Sequence, residues 1–192
     1  MKKENEILTL DDVAEVTLGV PIYRFKDEKL GKLQKVILQK SVNIHSPEIE
    51  YENEMISENI ELKYYSKKGD IIFKLQRPNL FKQIDEENLI ISSTYAIIRV
   101  KENFDSQFLF QLLISDFIEK QVKRYTEGRK SLINITNLKK LELPNICFDT
   151  QVKYGQLLTL IDKRIEYKEK DLINEYKLKE SIINNIVEGK NE

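Results

Sequence analysis

Residues 149–187 read DTQVKYGQLLTLIDKRIEYKEKDLINEYKLKESIINNIV, and this stretch decides the architecture. A strict three-four walk along it meets Leu158, Ile161, Ile165, Lys168, Leu172, Glu175, Lys179, Ile182 and Ile186. Six of these nine are apolar, which predicts a helix with a coiled-coil-like seam. Ile173, Tyr176 and Ile183 widen the stripe beyond a strict two-helix seam. Asp149 or Thr150 is the predicted cap. Nearly 40 residues at about 1.5 Å each make a rod on the order of 57 Å long. A domain built from the rest of this chain is narrower than that. The stripe therefore calls for a second long helix, and the chain offers none. Docking on a globular body is the alternative.

Composition bounds the rest. The chain has 192 residues, 41% hydrophobic and 33% charged, with a net charge of -1. That is room for one medium domain plus the helix. The balance of signs argues neither for nor against nucleic acid. A single cysteine, Cys147, permits no internal disulfide and fits a reducing compartment. The start, MKKENEILTLDDV, has no apolar stretch of signal-peptide length, and no run reaches membrane-spanning length. The expectation is a cytoplasmic protein without membrane contact.

Up to about Cys147 the pattern is mixed and short, which predicts an α+β domain. Val36 to Leu38, Ile60 to Tyr65, Asp70 to Leu75, Leu89 to Ser92 and Tyr95 to Val100 are strand-like. Asp105 is a predicted N-cap for one helix over SQFLFQLLISDFIEKQVKRY, which Gly128 ends. Thr136 is a predicted cap for a short helix at NLKK, and Leu141 to Leu143 is a last strand before Pro144. The domain boundaries expected are 1–148 and 149–192.

Charge is unevenly spread. Residues 119–140 carry seven basic and two acidic side chains, a net of +5, which leaves -6 for the other 170. Lys120, Lys123 and Arg124 lie on a helix end, with Tyr125 among them, and Arg129 and Lys130 follow Gly128. Such a cluster suits phosphate contact and base stacking. Cations favoured at a helix C-terminus are the competing explanation. A smaller set, Lys74, Arg77 and Lys82, surrounds Pro78.

Catalytic patterns are missing. The one histidine, His45, has no nucleophile elbow near it, and one His with one Cys makes no typical structural zinc site. There is no phosphate-binding glycine loop of either common type. Glu61-Leu62-Lys63 with Glu48 upstream is a degenerate nuclease-like match. Glu166-Tyr167-Lys168 and Glu175-Tyr176-Lys177 repeat it inside the long helix, as chance would. The expectation is a non-enzyme with no catalytic residues, no metal and no cofactor.

The order of parts resembles the specificity subunits of type I restriction-modification systems along nearly the whole chain. LTLDDVAEVTLGVPIYR is similar to the family's start, "L-x-D-V-A-x-[IV]-x-x-G" with a basic residue soon after, here Arg24. KKGDIIFKLQR is similar to the "G-D-[IV]-L" strand, and ISSTYAIIRV to a serine-containing strand ending "[AV]-I-R". FDSQFLFQLLIS, TEGRKSLINITNLKKLELPNICFDTQ and QLLTLIDKRIEYKEKDL follow in the family's order. Two departures stand out. Asn145-Ile146-Cys147 replaces the second proline after "I-P", and Lys74-Leu75-Gln76-Arg77 replaces a glycine-arginine pair. Full subunits also carry two recognition domains and two helices, where this chain has one of each.

The resemblance implies a target recognition domain and a conserved spacer helix. It implies a half-subunit that pairs, as a homodimer or with another half-subunit, through antiparallel helices. The pair would read a split, inverted-repeat site on double-stranded DNA. It would direct DNA methylation by a modification subunit carrying S-adenosylmethionine, with a restriction subunit as an optional further partner. The DNA contacts so implied are Arg24, Lys74, Arg77, Lys123, Arg124, Tyr125, Gly128, Arg129 and Lys130. The dimer interface is Leu158, Ile161, Ile165, Leu172, Tyr176, Ile182 and Ile186. The rival is an interaction protein that regulates assembly through its helix without reading DNA.

Overall fold

The computed structural model describes residues 7–42, 49–57, 59–76, 80–126 and 132–188. It separates into two compact units, 1–155 and 156–192.

The first unit is organised by strands whose two faces are both buried. In β5 (Ile71–Lys74) and β8 (Tyr95–Val100), alternate side chains point to opposite faces. Ile71, Phe73, Ala96 and Ile98 enter one core, while Ile72, Tyr95 and Ile97 enter another. Near-continuous apolar runs such as Ile71 to Phe73 follow from this two-sided burial. Burying one such side chain contributes about 1.5–3 kcal/mol.

These strands are central in an antiparallel sheet ordered β2 (Ala14–Leu18), β8, β5, β6 (Phe81–Gln83). The register pairs Val16 with Ile98, Ile72 with Ile97 and Phe73 with Phe81. One face carries α1 (Leu10–Val13), α2 (Ser106–Leu113), α3 (Asp116–Thr126) and α4 (Ile135–Lys139). The other face meets a three-stranded sheet, β4 (Glu52–Ile56), β3 (Lys32–Ile37) and β7 (Ile90–Ile91). There β3 runs antiparallel to β4 and parallel to β7. Ile37 and Ile91 face the larger sheet. Val36, Ile56 and Ile90 face away, under Val20, Ile22 and Ile60. A two-stranded ladder of β1 (Leu8–Thr9) with β9 (Glu142–Leu143) ties the N-terminal segment to the strand before Pro144.

Several motif residues are accounted for by this scaffold. The Arg99 guanidinium donates to both carboxylate oxygens of Asp70, at 3.0 and 2.6 Å, and to the Tyr65 carbonyl at 3.1 Å. Asp70 also accepts from the Lys67 backbone N–H at 2.9 Å, across a turn where Gly69 has φ +87°. The "G-D" and "I-R" motifs are thus the two halves of one ion pair. At Gly19 an added Cβ would lie 2.2 Å from the Ser92 carbonyl oxygen, so a side chain there would separate the end of β2 from the turn before β8. At the start of α1 the Asp12 carboxylate accepts from the Thr9 N–H and hydroxyl, at 2.8 and 2.6 Å.

Four expectations are corrected. Ile60 to Tyr65 is not a strand: Leu62–Tyr64 is a 3-10 turn, joined to the sheets by Tyr65 pairing with Ile90. The single helix after Asp105 is two. Asp105 does cap α2, accepting from Phe108 N–H at 2.7 Å. The helix then stops at Ile114, where the Ser115 hydroxyl donates to Leu112 O at 2.6 Å, and α3 restarts. The cap of α4 is Asn134, which accepts from Asn137 N–H at 2.8 Å, not Thr136. The long helix α5 starts one residue before the expected caps, at Phe148, with Cys147 O accepting from Thr150 and Gln151 N–H. Gly128 lies outside the described residues.

Helix α5 (Phe148–Val187) has 40 residues. Its first turns belong to the first unit. The Gln151 side chain is buried, accepting from Asp105 N–H at 2.9 Å and donating to Ile146 O at 2.7 Å. The second unit is the remainder of this helix. No described helix is long and apolar enough to cross a membrane.

Candidate nucleic-acid interface

Long-range pairing brings two of the expected DNA-contact positions, Arg24 and Lys74, to one edge. Ser93 N–H donates to Val20 O at 2.8 Å, and Ser92 N–H to Ile37 O at 3.1 Å. The Tyr95 hydroxyl donates to Leu38 O and Gln39 O, at 3.1 and 3.2 Å. Burial pushes that phenol's pKa up to about 12. These bonds bring the turns at 21–24, 38–40 and 92–94 together. The Gln39 amide donates to Gln76 Oε1 at 3.2 Å, and Gln76 pairs with Leu132. Leu75 N–H reaches Thr94 O at 3.1 Å. The end of β5, with Lys74, therefore joins the same edge, as does Leu132.

Among the implied contacts, Arg24 is exposed on the 3-10 turn Ile22–Arg24, its guanidinium 5.6 Å from the centre of the Tyr23 ring. Lys74 is half-buried at the end of β5. Lys82 is half-buried in β6, and burial lowers its pKa. Lys123 and Arg124 are exposed in the last turn of α3, with Lys123 paired to Glu119 at 2.6 Å. Such an exposed pair contributes little to stability. Tyr125 is half-buried and packs on the helix-side core, so part of its ring is engaged there. Arg77, Gly128, Arg129 and Lys130 lie outside the described residues, as do His45 and Glu48.

The nuclease-like pattern at Glu61-Leu62-Lys63 does not lie on a strand. Glu61 and Lys63 are paired with each other at 2.7 Å on the 3-10 turn. No group of three or more metal-ligating side chains occurs among the described residues. Sequence reasoning missed the turns at 38–40 and 92–94, because their position depends on backbone pairings between distant segments. The serine-rich start of ISSTYAIIRV was the available signal.

The seam residues form a second candidate surface. Leu158 is half-buried. Ile161, Ile165, Leu172, Tyr176, Ile182 and Ile186 are exposed, as are Ile173 and Ile183.

A relative, the type I restriction enzyme MjaVIII specificity subunit of Methanocaldococcus jannaschii, is 30% identical over 133 residues. The chain resembles type I specificity subunits. The aligned part is 65% of this chain and 31% of that relative, so the chain spans about a third of its length. No protein-family profile matches. Three solved structures share the fold. One, from work on complex assembly and conformational transition of a type I restriction-modification system, has a TM-score of 0.67 at 15% identity, covering 85% of this chain and 44% of that one. The HsdS subunit of Thermoanaerobacter tengcongensis has a TM-score of 0.60 at 14% identity, covering 87% and 39%. The type I S subunit from M. genitalium has a TM-score of 0.53 at 15% identity, covering 87% and 42%. The resemblance read from the motifs is thus matched by both aligned sequence and fold.

Proposed function

We propose that this chain is a non-catalytic, sequence-specific DNA-binding component of a type I restriction-modification system, working as a half-subunit. Two copies pair through antiparallel α5 helices, or one copy pairs with another half-subunit. The paired recognition domains read a split inverted-repeat site, since protein symmetry is mirrored in the site. The modification subunit docks on the helices and brings S-adenosylmethionine and the methyl transfer. A restriction subunit joins where the system cuts.

The observation that carries this reading is the bare seam. Ile161, Ile165, Leu172, Tyr176, Ile182 and Ile186 share one 40-residue helix and are all exposed. A largely apolar stripe from Ile161 to Ile186, interrupted by Lys168, Glu175 and Lys179, favours a partner helix over water. Light scattering of the full chain at micromolar concentration tests it. Twice the chain mass is expected, and a monomer at 22.7 kDa rejects the homodimer.

Phosphate contact is assigned to Arg24, Lys74, Arg77, Lys123, Arg124, Arg129 and Lys130. The double variant Arg129→Ala, Lys130→Ala is expected to weaken duplex binding and lower the salt slope by about two. An unchanged slope removes these two residues from the contact surface.

A further inference from the structure

The turns at 21–23, 38–40 and 92–94, with Glu52 on the adjoining strand β4, enclose an open cleft of ≈ 390 Å³. Its walls are held from behind. Ser92 and Ser93 are bonded to Ile37 and Val20 through the backbone, and the buried Tyr95 hydroxyl pins the Leu38 and Gln39 carbonyls. Gly19 packs directly against the Ser92 backbone. A surface fixed this way loses little freedom when a ligand binds.

One wall group is unaccounted for. Ser92 is 5% exposed, and its hydroxyl has no hydrogen-bond partner among the described residues. A buried hydroxyl without a partner is uncommon and costly. Ser92 is among the residues that line the cleft, so this unused hydrogen-bonding group lies in its wall.

The rim carries a mixed set of polar groups: the Gln39 amide, the Lys40 ammonium, the Thr94 hydroxyl and the Glu52 carboxylate. Arg24 lies on the exposed Tyr23 ring beside them. A site for phosphate would not include a carboxylate. A site for base edges uses each of these types. Amides pair with adenine, cations with guanine, carboxylates with the cytosine amino group, and a threonine hydroxyl with donors or acceptors on a base edge.

We propose that this cleft is a base-reading surface for duplex DNA, with Gln39, Glu52 and Thr94 as specificity-determining residues. The proposal rests on the DNA-recognition function proposed above. It adds Gln39 and Glu52, which neither the charge pattern nor the family motifs include, and gives Thr94 a role within its motif.

Selection from a pool of random-sequence duplexes tests it, using the full chain. The wild type should enrich a defined word. Gln39→Ala, Glu52→Gln and Thr94→Val should each relax preference at a base position by about tenfold, the discrimination one good base contact gives. Their affinity for unselected duplex should stay within about twofold, since base contacts add little to non-specific binding. Thr94→Ser should retain more of the wild-type word than Thr94→Val, because it keeps the hydroxyl. Glu52 and Gln39 are exposed, so their variants leave the core intact and remain informative should Thr94→Val fold poorly. If the folded variants all select the wild-type word, the cleft is not the reader while DNA recognition stands. If the wild type selects no word, both proposals fall.

Discussion

Ile72 and Ile182 are the same side chain in opposite settings. The first is 1% exposed between two sheets, and the second is 52% exposed on a helix. The first unit completes its own core. Both faces of its central strands are covered, and even the outer face of the small sheet is capped by Val20, Ile22 and Ile60. The helix beyond Gly155 carries a comparable apolar repertoire and no cover of its own. Stability in the two regions therefore has different origins. One is intramolecular and independent of concentration; on the pairing proposed above, the other is intermolecular and grows with it.

Substitutions that hit one region and spare the other test this contrast. The largest effect is expected from Ile165→Asp with Ile182→Asp. Two charges on the seam should abolish pairing, taking the mass by light scattering to 22.7 kDa. Thermal unfolding of the first unit should be unchanged. If the dimer survives, the seam is misassigned. In the first unit, Phe73→Ala removes a fully buried ring that stacks on Phe81 at 4.3 Å. It should cost about 3–5 kcal/mol in denaturant unfolding, at any protein concentration. Asp70→Ala leaves Arg99 without its bidentate partner and should cost about 3 kcal/mol by the same measurement. A cost below 1 kcal/mol would mean that the pair does not hold the two motifs together.

Tyr95→Phe is the mildest test and the one with a pH signature. The variant loses bonds to two carbonyls and should cost about 1 kcal/mol at neutral pH. In the wild type the folded phenol titrates at about 12, above its ordinary value of 10.0. The buried neutral form thus adds stability that is present in full below pH 10 and lost as pH rises toward 12. Tyr95→Phe should flatten that alkaline decline. An identical decline in both proteins would assign it to other groups.

How far residues alone reveal this molecule depends on whether a feature is local. The strands at Ile71 and Tyr95 are readable because two-sided burial writes an apolar run into the chain. The long helix is readable because its period persists from Leu158 to Ile186, about eight turns. By contrast, β4 reads Glu52-Asn53-Glu54-Met55-Ile56, and its polar face hides a strand that exists through pairing with β3. The break between α2 and α3 is masked because apolar spacing continues through Phe117 and Ile118, while one serine hydroxyl stops the helix. Ile60 to Tyr65 has strand composition but only Tyr65 finds a ladder partner. At the candidate site the charges are visible in the chain, whereas the meeting of Tyr23, Gln39, Glu52 and Thr94 is a product of distant backbone bonds. The recognisable motifs mislead in one respect. Asp70, Arg99 and Gly19 carry much of the family likeness, yet each is engaged in holding the scaffold.

That engagement bears on how such a protein can change its vocabulary. The Asp70–Arg99 pair lies in the sheet and its preceding turn, away from the residues lining the cleft. Residues 39, 52 and 94 can therefore be rewritten without disturbing the ion pair that joins the turn before β5 to β8. If the cleft reads bases as proposed, grafting the 38–40 and 92–94 turns between relatives, with the framework held constant, makes the DNA word a replaceable cartridge.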